Sequence, residues 1–495
     1  MPLHDTTETP SVVIIGAGFG GLAMALELIR AGIDHFVILE KGSGVGGVWR
    51  QNTYPGAACD IPSPLYSLSS VPNSAWPRRF SEQPDILAYL RRTYAEHDLT
   101  RRVRLHTEVS GAEFDEKTGR WLVDTVTGER LTPRVLISAV GQLSLPSTPE
   151  LPGIERFHGR AFHSAEWDHD VELTGKRIAV IGTGASAIQF VPAIAPQAAY
   201  LSLFQRSAAW ILPKPDVKYT PIHHTLFRRI PLTRLAERLV VWSIFEVISL
   251  GLVDLKPLTA LFSTIARRHL HRQIVDADLR AKLTPDYTVG CKRGLFSNEY
   301  FPALARPNTG VVTDAIAEVT ADGVRTADGT VHQADVIIFG TGFAASDFLA
   351  PMTVRGLGGT KLTDLWADGA RAYLGMAVPD FPNLFLMYGP NTNLGAGSIV
   401  YMLECQARYI TQLVRTLIDR PGTALVVRAE VEREYDAALQ RRLGKSVWVR
   451  CSSWYRNAAG RITNNWPGTV SSYRLRTHKA DLRDYRLLDA SSTSS

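Results

Sequence analysis

Two short glycine-rich stretches constrain this chain more than anything else in it: GAGFGG at Gly16–Gly21 and GTGASA at Gly182–Ala187. Each follows an apolar, β-branched run, Ser11–Ile15 in one case and Arg177–Ile181 in the other. After the first come a helix-compatible stretch from Leu22 to Arg30 and a second strand-like run, His35–Leu39, that ends in Glu40. This strand–turn–helix–strand order is what a dinucleotide site requires. Gly16 permits the tight turn, Gly18 lets the backbone approach a pyrophosphate, and Gly21 lets helix and strand pack closely. The helix N-terminus adds free N–H groups and partial positive charge for the phosphates. Glu40, 24 positions beyond Gly16, stands where a carboxylate accepts hydrogen bonds from ribose hydroxyls.

In the second motif Gly182 and Gly184 take the same places, and Ala187 is the third small residue. The following strand, Tyr200–Phe204, runs into Gln205-Arg206-Ser207. An arginine at that strand end, in place of an acid, accommodates a ribose 2′-phosphate, and its fixed planar fork suits phosphate oxygens. The second site is therefore expected to hold NADPH, with Arg206 and Ser207 among its ligands, and the first to hold another dinucleotide. The expected fold class is α/β, two Rossmann-like dinucleotide-binding domains with a helical insertion in the second.

Composition narrows the remaining choices. A chain of 495 residues has room for two or three domains, and 21% charged against 45% apolar residues is ordinary for a soluble globular protein. The net charge of +6 is scattered over pairs such as Arg78–Arg79, Arg91–Arg92 and Arg267–Arg268. A nucleic-acid partner would leave a clustered basic stripe, so none is expected. The N-terminus lacks the regions of a signal peptide, and Cys59, Cys291, Cys405 and Cys451 show no metal or redox spacing. Both point to a reducing cytoplasm and to no metal. The most apolar run, Leu239–Leu255, is interrupted by Glu246 and falls short of the roughly 20 residues needed to span a bilayer. It reads as a buried or interfacial helix, with stable insertion set aside and peripheral membrane contact left open. Oligomeric state is not legible.

The expected first unit covers residues 8–148 and resumes over 378–488, and the second covers 149–213 and resumes over 290–377. A helical insertion fills 214–289, with helices over Leu232–Leu250 and Leu258–Val275, and 489–495 reads as a disordered tail. Short strands are expected over Arg102–Val109, Trp121–Val126 and Val135–Val140, and the proline-rich exit LSLPSTPELPG marks the first boundary. The stretch FPNLFLMYGPNTNLGAG leads into a helix near Ser398–Leu417.

Between the two fingerprints lies FHGRAFHSAEWD, in which Phe157, Gly159, His163, Trp167 and Asp168 are spaced Phe-x-Gly-x-x-x-His-x-x-x-Trp-Asp. This resembles the fingerprint of the Baeyer–Villiger monooxygenases, flavoproteins that use FAD, NADPH and O2; related flavin monooxygenases usually carry Tyr where Trp167 stands. GGVWRQNTYPGAACD, Gly46 to Asp60, resembles a second pattern of that family and implies that Gly47, Trp49 and Asp60 lie at the FAD. GCKRGLFSNEYFPAL, from Gly290, resembles the segment that carries the family's active-site arginine. The resemblance gives that role to Arg293, a phosphate-binding role to Lys292, and to Asp60 the task of orienting Arg293; Ser297 and Tyr300 fit the wider pattern. His163 titrates near neutrality and so invites a general-base reading. The resemblance instead makes it a structural residue of a linker that couples domain motion. Trp454, in SSWYRNAAG, resembles a mobile tryptophan that contacts the nicotinamide cofactor, with a core tryptophan as the alternative. The likeness runs from about Val12 to Gly468 and is weakest in the helical insertion, where substrate contacts are expected.

The chemistry implied is oxygen insertion beside a carbonyl, ketone to ester or lactone, through a flavin C4a-peroxide. A guanidinium charged at any physiological pH would stabilise both the peroxide anion and the tetrahedral adduct. A protonated peroxide would instead favour sulfides and amines, so heteroatom oxygenation is the nearest alternative. A pyridine-nucleotide–disulfide reductase shares the two-domain plan but needs a redox cysteine pair near the flavin, and no Cys-x-x-Cys exists. A non-catalytic flavoprotein or membrane-docking module is the remaining reading.

Overall fold

Val12–Ile15 is buried on both faces, which is the condition for a central parallel strand. In the computed structural model it lies between Phe36–Leu39 and Val135–Ser138, parallel to both, with Val12 in register with Phe36 and Val135. Leu384–Leu386 and Val103–Arg104 complete a five-stranded parallel sheet. Alternate side chains divide the core. Val12 and Ile14 pack with Leu22 and Leu26 of the Phe19–Arg30 helix and Val400 and Leu403 of the Ile399–Ile418 helix. Val13 and Ile15 face Phe114, Trp121 and Val123 of an antiparallel sheet. The structure describes residues 10–489 apart from 254, 255, 452, 454 and 458. Trp454 and nearly all of the expected C-terminal tail lie outside the described residues.

The second unit repeats this plan. Arg177–Ile181 is flanked by Tyr200–Phe204 and Val336–Phe339, with Thr309–Val312 and Arg160–His163 at the edges, all parallel. Ile178 and Val180 pack under the Ala187–Ile194 helix, while Ala179 and Ile181 face Val319 and Val324 of a three-stranded sheet. The interdomain stretch thus becomes an edge strand. Strands buried on both sides read as unbroken apolar runs, and these were placed to within a residue or two.

Three expectations are corrected. The strand expected over Arg102–Val109 is broken: only Val103–Arg104 pairs with the first sheet, His106 has φ +53°, and Val109–Asp115 starts a separate antiparallel sheet. The return to the first unit comes before residue 378, because Leu349, Val354, Leu362 and Trp366 pack with Val13 and Ile15. Its marker, the three-residue strand Thr353–Arg355, pairs with residues 242 positions away, so no local pattern announces it. Finally, the helical insertion is shared between the units. Its helix Pro231–Val253 buries Val241, Phe245 and Leu252 in the first core, whereas Leu270 and Ile274, in and after the helix Lys256–Gln273, join the second.

Candidate active site

The first fingerprint forms the expected cradle. Gly16 has φ +104°, and a Cβ there would come within 2.6 Å of the Ala139 carbonyl oxygen. Gly18 caps the Phe19–Arg30 helix, and Gly21 lies in its first turn against the Gly16 carbonyl. Gly47 has φ +54°, and a Cβ on it would sit 2.9 Å from Gly18 Cα, so the two glycine loops touch at the helix N-terminus. The buried Glu40 carboxylate accepts from the Ala17 N–H at 2.9 Å and the Gly42 N–H at 2.8 Å. A carboxylate has about four acceptor sites, so two remain for ribose hydroxyls. These features fit a dinucleotide. Trp49 serves the packing beside them: its indole donates to the Tyr66 hydroxyl at 3.1 Å and meets that ring edge-on.

In the second unit Gly182 makes the equivalent turn at φ +111°, Gly184 follows it, and buried Ala187 opens the helix. Arg206 is exposed just past the end of Tyr200–Phe204. Lys292, 85 positions on, reaches back so that its Nζ donates to Ser207 Oγ at 2.8 Å, and it lies over the Tyr287 ring. Burial, followed by the Arg206 charge, lowers the Lys292 pKa. Two cations beside a hydroxyl, each raising the electrostatic cost of the other, suit a doubly charged phosphate.

Arg293 and Asp60 meet across 233 residues. Nε donates to Oδ2 and Nη2 to Oδ1, both at 2.9 Å, in a bidentate pair. The Asp60 charge holds the guanidinium pKa above its ordinary value. Nη1 makes no hydrogen bond among the described residues and is left for a ligand. Sequence reasoning missed Tyr388 and Tyr455, which stand within electrostatic reach of Arg293. Burial raises both, Tyr455 to about 12, so they stay protonated. Tyr388 lies in the FPNLFLMYGPNTN stretch with φ +61°, unusual for an aromatic residue, but no sequence signal marks it as part of the site.

Gln189, in the first turn of the second fingerprint helix, was also missed. Its Oε1 accepts from the Tyr54 hydroxyl at 3.0 Å and the Ala58 N–H at 3.2 Å, and its Nε2 donates to the Ala58 carbonyl at 2.9 Å. One side chain of the second unit thereby holds the loop that carries Asp60. The interdomain fingerprint supports that helix from below. Trp167 packs on Phe162 and on Phe190, centroids 5.3 and 5.5 Å apart. Gly159 passes against the Asp335 carbonyl with the Phe157 ring beside it, and Asp168 accepts from the Asp170 N–H. Buried His163 accepts from the Ala165 N–H at 3.1 Å, and burial lowers its pKa. It caps a turn, as a structural histidine does. Ser297 Oγ accepts from the Glu299 and Tyr300 N–H groups just ahead of and at the start of the short Tyr300–Leu304 helix, and Tyr300 is core.

Two of the cysteines that show no metal or redox spacing are joined: Cys291, next to Lys292, forms a disulfide with Cys451. Spacing rules detect neighbouring pairs, and these are 160 residues apart. The cysteines therefore do not by themselves indicate a reducing compartment.

Comparison with known proteins fits this geometry. The family model described as pyridine nucleotide-disulphide oxidoreductase matches residues 13–233. Cys59 is the sole cysteine in that stretch, so the likeness there is one of dinucleotide-binding fold without a redox pair. A Baeyer-Villiger monooxygenase of Pseudomonas aeruginosa is 45% identical over 98% of this chain and 93% of its own. The closed crystal structure of cyclohexanone monooxygenase superposes with a TM-score of 0.87 at 28% identity, covering 98% of this chain and all of that one. OTEMO in complex with FAD and NADP gives 0.87 at 27% identity, over 97% of this chain and all of the other. With the paired fingerprints and the Arg293–Asp60 contact, these likenesses establish that the chain belongs to the Baeyer–Villiger monooxygenases, FAD- and NADPH-dependent flavin monooxygenases.

Proposed function

We propose that the enzyme inserts an oxygen atom from O2 next to a carbonyl, converting a ketone to an ester or lactone, and that Arg293 is its principal catalytic residue. The observation that carries this reading is the bidentate Arg293–Asp60 pair with one guanidinium nitrogen left over. In this reading the unit built on Val12–Ile15 holds FAD through Gly16, Gly18, Gly21, Glu40 and Gly47. The unit built on Arg177–Ile181 holds NADPH, with Arg206, Ser207 and Lys292 on the 2′-phosphate. When bound, FAD reduced by NADPH supplies, with O2, a nucleophilic oxygen. Arg293 keeps that oxygen deprotonated and stabilises the negative charge that develops on the substrate's former carbonyl oxygen. Asp60 fixes the guanidinium plane, so little reorganisation is needed as charge develops. The carbon–carbon bond beside the carbonyl would then shift to that oxygen as the oxygen–oxygen bond breaks, and the second oxygen atom of O2 would leave as water, its two electrons supplied by NADPH.

The test is product stoichiometry. FAD-loaded protein is given NADPH, O2 and a panel of cyclic ketones, open-chain ketones and aryl sulfides. One ester or lactone formed per NADPH consumed supports the reading. Sulfoxides alone would favour heteroatom oxygenation, and hydrogen peroxide alone would remove Arg293 from its assigned role.

A further inference from the structure

A surface helix ordinarily turns its apolar face to the core and its charges to water. Pro231–Val253 departs from this. Val241, Phe245 and Leu252 do face the core, and Trp242 packs edge-on against Tyr401, centroids 4.5 Å apart. The opposite face is also apolar: Leu232, Leu235, Leu239, Val240, Ile244 and Val247 are all exposed, Leu232 at 70%. Apart from the adjacent Leu239 and Val240 they recur three or four residues apart, and together they form one broad stripe along the helix. The preceding helix, Pro221–Arg229, continues it with Ile222, exposed at 72%, and Leu226. An uncovered apolar surface of this extent marks an interaction site.

The charges identify the partner. Between Lys218 and Val253 there are two carboxylates, and both turn inward: Glu237 accepts from the Tyr219 hydroxyl at 2.5 Å and Glu246 from the Val470 N–H at 2.9 Å. Arg238 also turns inward, donating to the Pro64 carbonyl at 2.6 Å. The charges left outside are Lys218, Arg228 and Arg229, all exposed, and the half-buried Arg234. None of the three arginines forms an ion pair among the described residues. The outer face is therefore an apolar stripe with a purely cationic rim at its N-terminal end. No helix among the described residues is long and apolar enough to cross a membrane. A second copy of the chain fits poorly, because a two-fold contact would set this same face against itself, and the face offers the cationic rim no outward carboxylate.

We infer that this face docks the enzyme onto an anionic lipid surface, the stripe at the acyl boundary and Arg228, Arg229 and Arg234 among the headgroup phosphates. Apolar burial and attraction to anionic headgroups act together at such a surface, and salt weakens the second. The inference does not depend on the substrate assigned above.

The test is flotation of the FAD-loaded enzyme with vesicles of phosphatidylglycerol and phosphatidylcholine in equal parts. The wild type floats with these vesicles, floats less as salt is added, and stays down with phosphatidylcholine alone. The triple variant Leu235→Glu, Leu239→Glu, Ile244→Glu loses about tenfold or more in bound fraction, with flavin content and NADPH oxidation unchanged. Arg228→Glu with Arg229→Glu, both exposed, gives a second reading should the triple variant not fold, and it too lowers the bound fraction. Absence of flotation, or equal binding by both variants, overturns the inference. So does sedimentation in which the lipid-free wild type is a dimer and the triple variant a monomer, since the stripe would then be a contact between copies.

Discussion

Arg293 and Asp60 are 233 positions apart in the chain, yet two hydrogen bonds of 2.9 Å fix the guanidinium plane. Arg293→Ala is expected to lower ester formation by about 10²–10³, the scale of losing one oriented charge donor at a developing oxyanion. NADPH oxidation would continue with release of hydrogen peroxide, and product measured per NADPH separates the two. Arg206→Ala and Lys292→Ala are each expected to raise KM for NADPH by roughly tenfold while leaving KM for NADH nearly unchanged; steady-state kinetics with both nucleotides checks this. The two sites were legible to different degrees. Arg206 was selected from physics alone, because a strand end after a glycine turn is where a bound ribose would lie. Nothing local distinguishes Arg293 from any surface Lys-Arg pair, and only the resemblance of its surroundings selected it. Gln189 was invisible, since its task is set by a loop more than 130 residues away.

At the scale of elements, the site depends on loops held by their neighbours. Gly47→Ala would force a Cβ to within 2.9 Å of Gly18 Cα at a left-handed φ. Purified variant is expected to have lost most of its flavin, read from the visible spectrum after gel filtration. Gln189→Leu leaves both polar groups of half-buried Ala58 without their partner and the Tyr54 hydroxyl with one fewer, a cost of up to roughly 1–3 kcal/mol for each group left unsatisfied. The loop carrying Asp60 then loosens, and product formed per NADPH is expected to fall even though Gln189 touches no reacting atom. The strands under these loops were readable because apolar β-branched runs have few alternatives. The loops between them were readable only as glycine patterns, and the three-residue strand Thr353–Arg355 not at all, because its pairing is non-local.

Over the whole molecule, the insertion ties the two units together, and its charges can be tested through stability. Arg238 of its helix Pro231–Val253 donates to Ser69 Oγ at 2.9 Å, and Ser69 in turn donates to buried Glu404 through its N–H at 2.8 Å and its hydroxyl at 2.7 Å. Burial raises the Glu404 pKa. The folded chain therefore holds that proton more tightly than the unfolded chain. Its contribution to stability is present at or below the ordinary carboxyl pKa and is lost as pH rises through the raised folded value. Glu404→Gln is expected to remove this slope, seen as a flatter dependence of the thermal midpoint on pH above about pH 4. The sequence marked the insertion as helical but assigned it whole to the second unit, because helical periodicity shows that a face is buried without showing against what. One arm of the hairpin in fact rests on each unit: Ser249 donates to the Ala396 carbonyl of the first, and His269 bonds the Ser297 carbonyl just past Arg293. The arms come together where Gly251 faces Leu258, closely enough that a Cβ on Gly251 would be 3.0 Å from that of Leu258. The hairpin is thus a flexure. Any shift between the units would have to be taken up where its arms pack, and Gly251 against Leu258 is a tight point of that packing. A bulkier side chain at Gly251 would wedge the arms, so that turnover became limited by how fast product escapes and no longer by how fast bonds are made.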